Sequence, residues 1–248
     1  MTAFTSLLSS KVLEQASDSV GQLLLGEYGA IFAAGGEAIP PDRIIFKDQT
    51  EVSAFQNSVD IGTVEFGQIT IELQAIAADA LKEAFEAASG EGLSITPRAA
   101  DSGRRSYDET VGLWQSRVEP ALDYWVEQGR LSANEAQRMR ALPPFEQVSI
   151  VLTLEQKGVY FAKDLSKSII YSVAPPGASQ HLSMLAFDVT EFNHPRVRQI
   201  LADHYWYQTV ISDLPHFTYL GVDERELQAR GLKKVEALDR EFWLPDID

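Results

Sequence analysis

The stretch LAFDVTEFNHPRVRQILADHYWYQTVISDLPHFTYLGV, residues 185–222, decides how the chain is built. Leu185 to Val189 is an apolar run of strand length, interrupted only by Asp188. Asn193 or His194 then caps a helix that carries Pro195 at its first position and runs to about His204. Tyr205 to Ile211 and Phe217 to Val222 read as two closing strands. The strand–helix alternation of a doubly wound parallel sheet is missing. The sheet implied here is small, antiparallel and late in the chain.

Upstream the signals are mostly helical. Val12, Ala16, Val20, Leu23 and Leu24 make one stripe from about Ser10 to Leu25, with Gly26 as its stop. Residues 35–42 carry two glycines and two prolines and read as a loop. Residues 43–47 read as a strand and 51–59 as a short helix. From Thr70 to Ala88, Leu73, Ile76, Ala77, Ala80, Leu81, Ala84 and Phe85 recur at helical steps, so that segment is predicted as one helix. Residues 93–99 read as a strand with Pro97 at an edge or bulge. Ser106 with Glu109, and Ser132 with Glu135, have the spacing of capping boxes and open two more helices. Residues 145–156 fit helix or strand, 160–173 a hairpin, and the tail after Asp223 a short amphipathic helix. The sum predicts an α+β fold, helices packed on a small antiparallel sheet. It is read as a single domain over 1–248, with 1–60 a peripheral layer and the core at about 70–222.

The composition narrows function. A formal charge of −15 repels phosphate backbones, so no nucleic-acid partner is expected. There is no cysteine, which removes disulfides, thiolate nucleophiles and Cys-type zinc sites together. Any metal must be held by His, Asp and Glu. No run reaches the ~18 apolar residues of a membrane span. The segment before Ser10 lacks a basic stretch followed by an apolar one, the pattern of an export signal.

Only four histidines are present. His181 follows the loop Ala174-Pro175-Pro176-Gly177-Ala178-Ser179-Gln180, and Asp188 lies seven residues on, in an apolar run where a lone carboxylate is costly. His216 opens the last strand. Two imidazoles and one carboxylate make a three-ligand zinc set with the fourth position left for water. The spacing alone leaves a second reading open: a loop histidine, a strand-end cap and a core histidine. His194 and His204 read as structural. Tyr205, Trp206 and Tyr207 fit core packing or the wall of a sugar cleft.

Three segments resemble one family. Ser179, His181, Ala186 and Asp188 match the Ser-x-His-x-x-Gly-x-Ala-x-Asp signature of VanY-type D-alanyl-D-alanine carboxypeptidases, which are LAS-type zinc metallopeptidases. His216, Phe217 and Tyr219 match that family's Glu-x-x-His-Phe-x-Tyr. Ser102-Gly103-Arg104-Arg105-Ser106-Tyr107 resembles its Ser-Gly-Tyr-Arg-Ser-Tyr turn. The resemblance implies a LAS/hedgehog-like fold and one Zn²⁺ held by His181, Asp188 and His216. It also implies Asp213 as general base, Arg105 on the substrate's terminal carboxylate, and Ser179 as a further substrate contact. The implied activity is that of a zinc peptidase on peptidoglycan stem peptides, a D,D- or L,D-carboxypeptidase working as a monomer. A zinc-containing module that binds such peptides or muropeptides without cleaving them is the alternative. The resemblance places the protein in the cell envelope or periplasm, while the absent export signal leaves the cytoplasm as the alternative.

Three positions depart from the pattern. The glutamate is Asp213, shorter by ~1.5 Å. Residues three apart on a strand face opposite ways, so Asp213 and His216 converge only if the chain bends between them, as Pro215 favours. The signature glycine is Met184, which narrows the substrate's approach or shifts the loop. The tyrosine before Arg105 is Arg104.

Overall fold

The computed structural model describes residues 2–247. It is a mixture of helices and small antiparallel sheets and packs as two compact units. The first unit takes the residues up to Ile44, Ser53–Arg105, and the chain from Gln180 onward. The second takes Ile45–Val52 and Ser106–Ser179.

The first unit holds the sheet predicted from residues 185–222. Strands β3 (Ala186–Asp188), β4 (Trp206–Tyr207) and β5 (His216–Tyr219) form it in the order β3-β5-β4, with both pairings antiparallel. Helix α8 (Pro195–Asp203) lies between β3 and β4 in the chain, with Pro195 at its start as predicted. Phe187 and Trp206 are fully buried, and Trp206 meets Tyr219 with ring centroids 5.3 Å apart. The aromatic cluster is therefore core packing at Trp206 and Tyr207, while Tyr205 is exposed.

Several expectations for this unit are corrected. The predicted first helix is two, α1 (Ser10–Gln15) and α2 (Ser19–Tyr28), because the Asp18 carboxylate accepts from the Gly21 N–H and starts a new helix. Gly26 does not end α2, which continues to Tyr28. The long helix predicted from Thr70 begins five residues later, as α4 (Ala75–Gly90). Before it, β1 (Ile61–Phe66) and β2 (Ile69–Gln74) form a hairpin. Gly67, at φ +64°, supplies the left-handed residue of its tight turn. Leu73 serves either period, and the alternation of Ile71 and Leu73 with Thr70 and Glu72 is that of a strand. Residues 43–47 form no strand, the short helix predicted at 51–59 is α3 (Gln49–Gln56), and of 93–99 only Pro97 makes a bridge, to Val189. The tail adds a hairpin after α9 (Glu224–Leu227), pairing β6 (Leu232–Ala237) with β7 (Arg240–Pro245). Its turn puts Leu238 and Asp239 at φ +51° and +58°, which concealed it because glycine usually marks such turns.

The second unit is helical, with α5 (Tyr107–Glu127), α6 (Ala133–Arg140) and α7 (Pro144–Glu155). Both capping boxes form as predicted. Residues 160–173 are not a hairpin; they form an irregular loop with one 3₁₀ turn at Ile169–Tyr171. Glu155 explains the loop. Its carboxylate accepts from the buried Phe161 N–H at 3.0 Å, the Ile169 N–H at 2.7 Å and the Ser168 hydroxyl. Burial raises its pKa, against the lowering effect of those three donors. Glu155→Ala orphans two buried N–H groups and is expected to cost about 2–4 kcal/mol, read by denaturant unfolding. The raised carboxyl also makes stability fall as pH rises through its folded pKa, being fully present below the unfolded value of ~4.3. Glu155→Gln should remove that slope.

Candidate metal centre

Asp188 and His216 are register partners across β3 and β5, so their side chains leave the sheet on one face. His181 comes from the 3₁₀ turn Gln180–Ser183, which leads directly into β3. The turn is closed by Met184, whose N–H donates to the His181 carbonyl at 3.2 Å. Residues 102–105 run alongside: the Ser102 carbonyl accepts from the Asp188 N–H, and the Arg105 N–H donates to the His181 carbonyl.

The three side chains converge. His181 Nε2 and His216 Nδ1 each lie 3.3 Å from Asp188 Oδ1 and 3.2 Å from one another. Donors bonded to one tetrahedral zinc at ~2.05 Å stand about 3.3 Å apart, so this triangle has the size of one face of such a site.

The protons sharpen the fit. His181 Nδ1 lies 2.8 Å from the Gly103 carbonyl, an acceptor only, so its hydrogen sits there. His216 Nε2 lies 2.8 Å from Gln180 Oε1 and donates to it. The opposite nitrogens then turn bare lone pairs toward Asp188 Oδ1, itself a buried oxygen with no hydrogen-bond partner among the described residues. Three lone pairs crowded at this distance repel unless a cation sits among them. Protonating His181 is opposed by its burial and by the Arg105 charge, which lower its pKa despite Asp188. Burial pushes the Asp188 carboxyl upward, but the neighbouring imidazoles, when protonated, outweigh it through charge and hydrogen bonding and hold the carboxyl well below its ordinary range. His181, Asp188 and His216 thus make a group that can hold a metal ion.

Arg105 reaches the same cluster. Its Nη2 donates to Asp188 Oδ2 at 2.7 Å and its Nε to the Asp101 carbonyl at 2.9 Å. Arg104 faces elsewhere, pairing with Glu72 and Gln56 at 2.9 Å each. Gln56 in turn donates to the carbonyls of Arg105 and Leu182, so it braces both segments of the centre.

The family model for VanY, D-alanyl-D-alanine carboxypeptidase, matches residues 70–220. The chain belongs to this family. The matched residues contain the whole His–Asp–His cluster and Arg105. No curated protein matches the chain. Among solved structures, it is similar to a vancomycin-resistance D,D-pentapeptidase VanY from a VanB-type cassette, a mutant in complex with Zn(II). The identity is 15% and the TM-score 0.35, over 66% of this chain and 82% of that one.

Against the family pattern, the position of the signature glycine gains a physical reason. Met184 has φ +58°, a left-handed conformation that glycine adopts without cost and other residues at ~1–2 kcal/mol. Its side chain is fully buried. Asp213 lies outside β5, in a turn where its N–H donates to the Val210 carbonyl and its carbonyl accepts from the His216 N–H. The chain therefore bends between the two as required. The Asp213 side chain is exposed and is not drawn into the cluster. Ser179 is buried. His204 faces Glu83 at 3.7 Å, and His194 precedes α8 without a side-chain capping bond.

Sequence reading missed the groups that aim the imidazoles: the Gly103 carbonyl, Gln180 and, through Gln180, Thr218. No sequence signal marked them, because the burial of Gln180, in a run that continues to Phe187, exists only in the fold.

Proposed function

We propose that this chain is a zinc-dependent peptidase acting on peptidoglycan stem peptides in the cell envelope, as a D,D- or L,D-carboxypeptidase. The observation that carries the reading is the triangle of unprotonated donors, in a chain of the VanY family. His181, Asp188 and His216 would hold one Zn²⁺, three protein ligands being the pattern of catalytic rather than structural zinc. Zinc bound there supplies Lewis acidity, polarising a peptide carbonyl and lowering the pKa of water toward ~7.

The chain's own groups do the rest. Asp213 Oδ takes a proton from the attacking water and returns it to the leaving amine. Its side chain has no partner among the described residues and is free to approach a bound peptide. Arg105 receives the terminal carboxylate: its Nη1 has no partner among the described residues, and a guanidinium suits a carboxylate in shape and charge. That favours cleavage next to a free C-terminus. Ser179 adds a hydroxyl contact to the substrate.

Zinc-loaded protein is expected to release D-alanine from a muropeptide carrying a D-Ala-D-Ala end. Asp213→Ala should retain zinc and lose about 10²–10⁴-fold in rate. Equal rates for variant and parent would remove Asp213 as the base. Tight binding of the muropeptide without release would identify a recognition module instead.

A further inference from the structure

The amide of Gln180 lies between two elements of the first unit, α2 and β5. Its Nε2 donates to the Tyr28 carbonyl, at the end of α2, at 2.8 Å. Its Oε1 lies 2.8 Å from His216 Nε2 and within hydrogen-bond distance of the Thr218 hydroxyl. Thr218 is two residues beyond His216 on β5, hence on the same face. Gln180 is 4% exposed and His216 5%, so no bulk water competes for these bonds.

The arrangement admits one orientation of the amide. A backbone carbonyl can only accept, so the NH₂ end must face Tyr28 and the oxygen must face the imidazole. An oxygen at that place requires the hydrogen of His216 on Nε2. The lone pair is thereby fixed on Nδ1, the nitrogen that faces Asp188 and His181. Free imidazole exchanges its two neutral tautomers readily, and the other one would point an N–H into the cluster.

We infer that Gln180 is a positioning residue which fixes the tautomer and ring orientation of His216, and so presets the centre for a divalent metal ion. The inference rests on the zinc reading above. It adds that the setting is anchored outside the family-matched residues 70–220, because the carbonyl that orients the amide belongs to Tyr28. Thr218 supports the same oxygen from the strand that carries the ligand.

The test uses the full chain with Gln180→Leu and Gln180→Met, which remove the acceptor, and Gln180→Glu, which keeps one. Zinc affinity is measured by competition with a chromophoric chelator, and the His216 tautomer by ¹H–¹⁵N correlation of the histidine rings in metal-free protein. The parent should show His216 protonated on Nε2. The apolar variants should bind zinc about 10–100-fold more weakly and show a mixture of tautomers. Gln180→Glu should recover the Nε2–H form, with its proton signal shifted by the charged acceptor. An apolar variant with unchanged zinc affinity and tautomer overturns the inference. Should neither apolar variant fold, an Nε2–H signal that Gln180→Glu leaves unmoved overturns it as well. Failure of the parent itself to bind zinc would instead defeat the zinc reading, which separates the two.

Discussion

Asp188→Ala is expected to abolish metal binding and, with it, hydrolysis. In the proposed centre, the substitution removes one of three ligands and the only anionic one. Loss of a single outer partner of a metal ligand costs about 10–100-fold in affinity, and loss of a ligand should exceed that. Hydrolysis should fall at least as far as when one charge-stabilising group is removed, about 10²–10³-fold. Metal content after dialysis against zinc and D-alanine release check the two effects separately.

A second consequence concerns Arg105. Asp188 Oδ2 is its 2.7 Å partner, and both side chains are about seven-eighths buried, at 15% and 13% exposure. Alanine at 188 leaves that guanidinium with Asp101 alone. Breaking a fully buried pair costs about 3–5 kcal/mol, and the residual exposure here reduces the figure. Asp188→Asn separates the roles. Its amide oxygen can still accept from Arg105 but is a poor zinc ligand, so it should fold like the parent and lack zinc. Zinc bound at one equivalent by both variants would show that the cluster is not the metal centre.

The same residues show what the sequence makes legible. The late sheet could be read from 185–222 because short apolar runs and Pro195 mark its borders. The convergence of His181, Asp188 and His216 could not be read from spacing, since it depends on β3 and β5 being paired in a register that sets 188 opposite 216. Resemblance to a family supplied what spacing lacked. The β1–β2 hairpin was concealed because Leu73 also falls in helical step with Ile76, Ala77 and Ala80, which carried the helix reading back over the strand. The β6–β7 hairpin was concealed by its turn. The ordering of the imidazoles stayed out of reach for another reason. One of its acceptors is a backbone carbonyl, which every residue possesses, and the other is held by the carbonyl of Tyr28, 152 positions away from Gln180.

Gly103→Ala is expected to damage stability and metal binding together, although no side chain of Gly103 exists to lose. A Cβ there would stand 2.6 Å from Ile71 Cγ2 and 2.8 Å from the Glu72 carbonyl oxygen, both on β2. Comfortable contacts of carbon are about 3.5–4.0 Å. The Ile71 methyl, on a buried β-branched side chain, yields little, and the Glu72 oxygen does not yield, because it is backbone and already accepts from the Arg104 N–H at 3.0 Å. Residues 102–105 must therefore move away from β2, at the ~1–3 kcal/mol that overpacking costs. The Gly103 carbonyl moves with them, and it is the acceptor that fixes His181. Zinc affinity should fall by about 10–100-fold even though all three ligands remain. Adding Ile71→Ala relieves the carbon contact and leaves the oxygen contact in place. The double variant should then regain part of the stability and little of the affinity, measured by denaturant unfolding and chelator competition. Recovery of affinity in step with stability would assign the defect to general loosening of the fold and not to the orientation of His181.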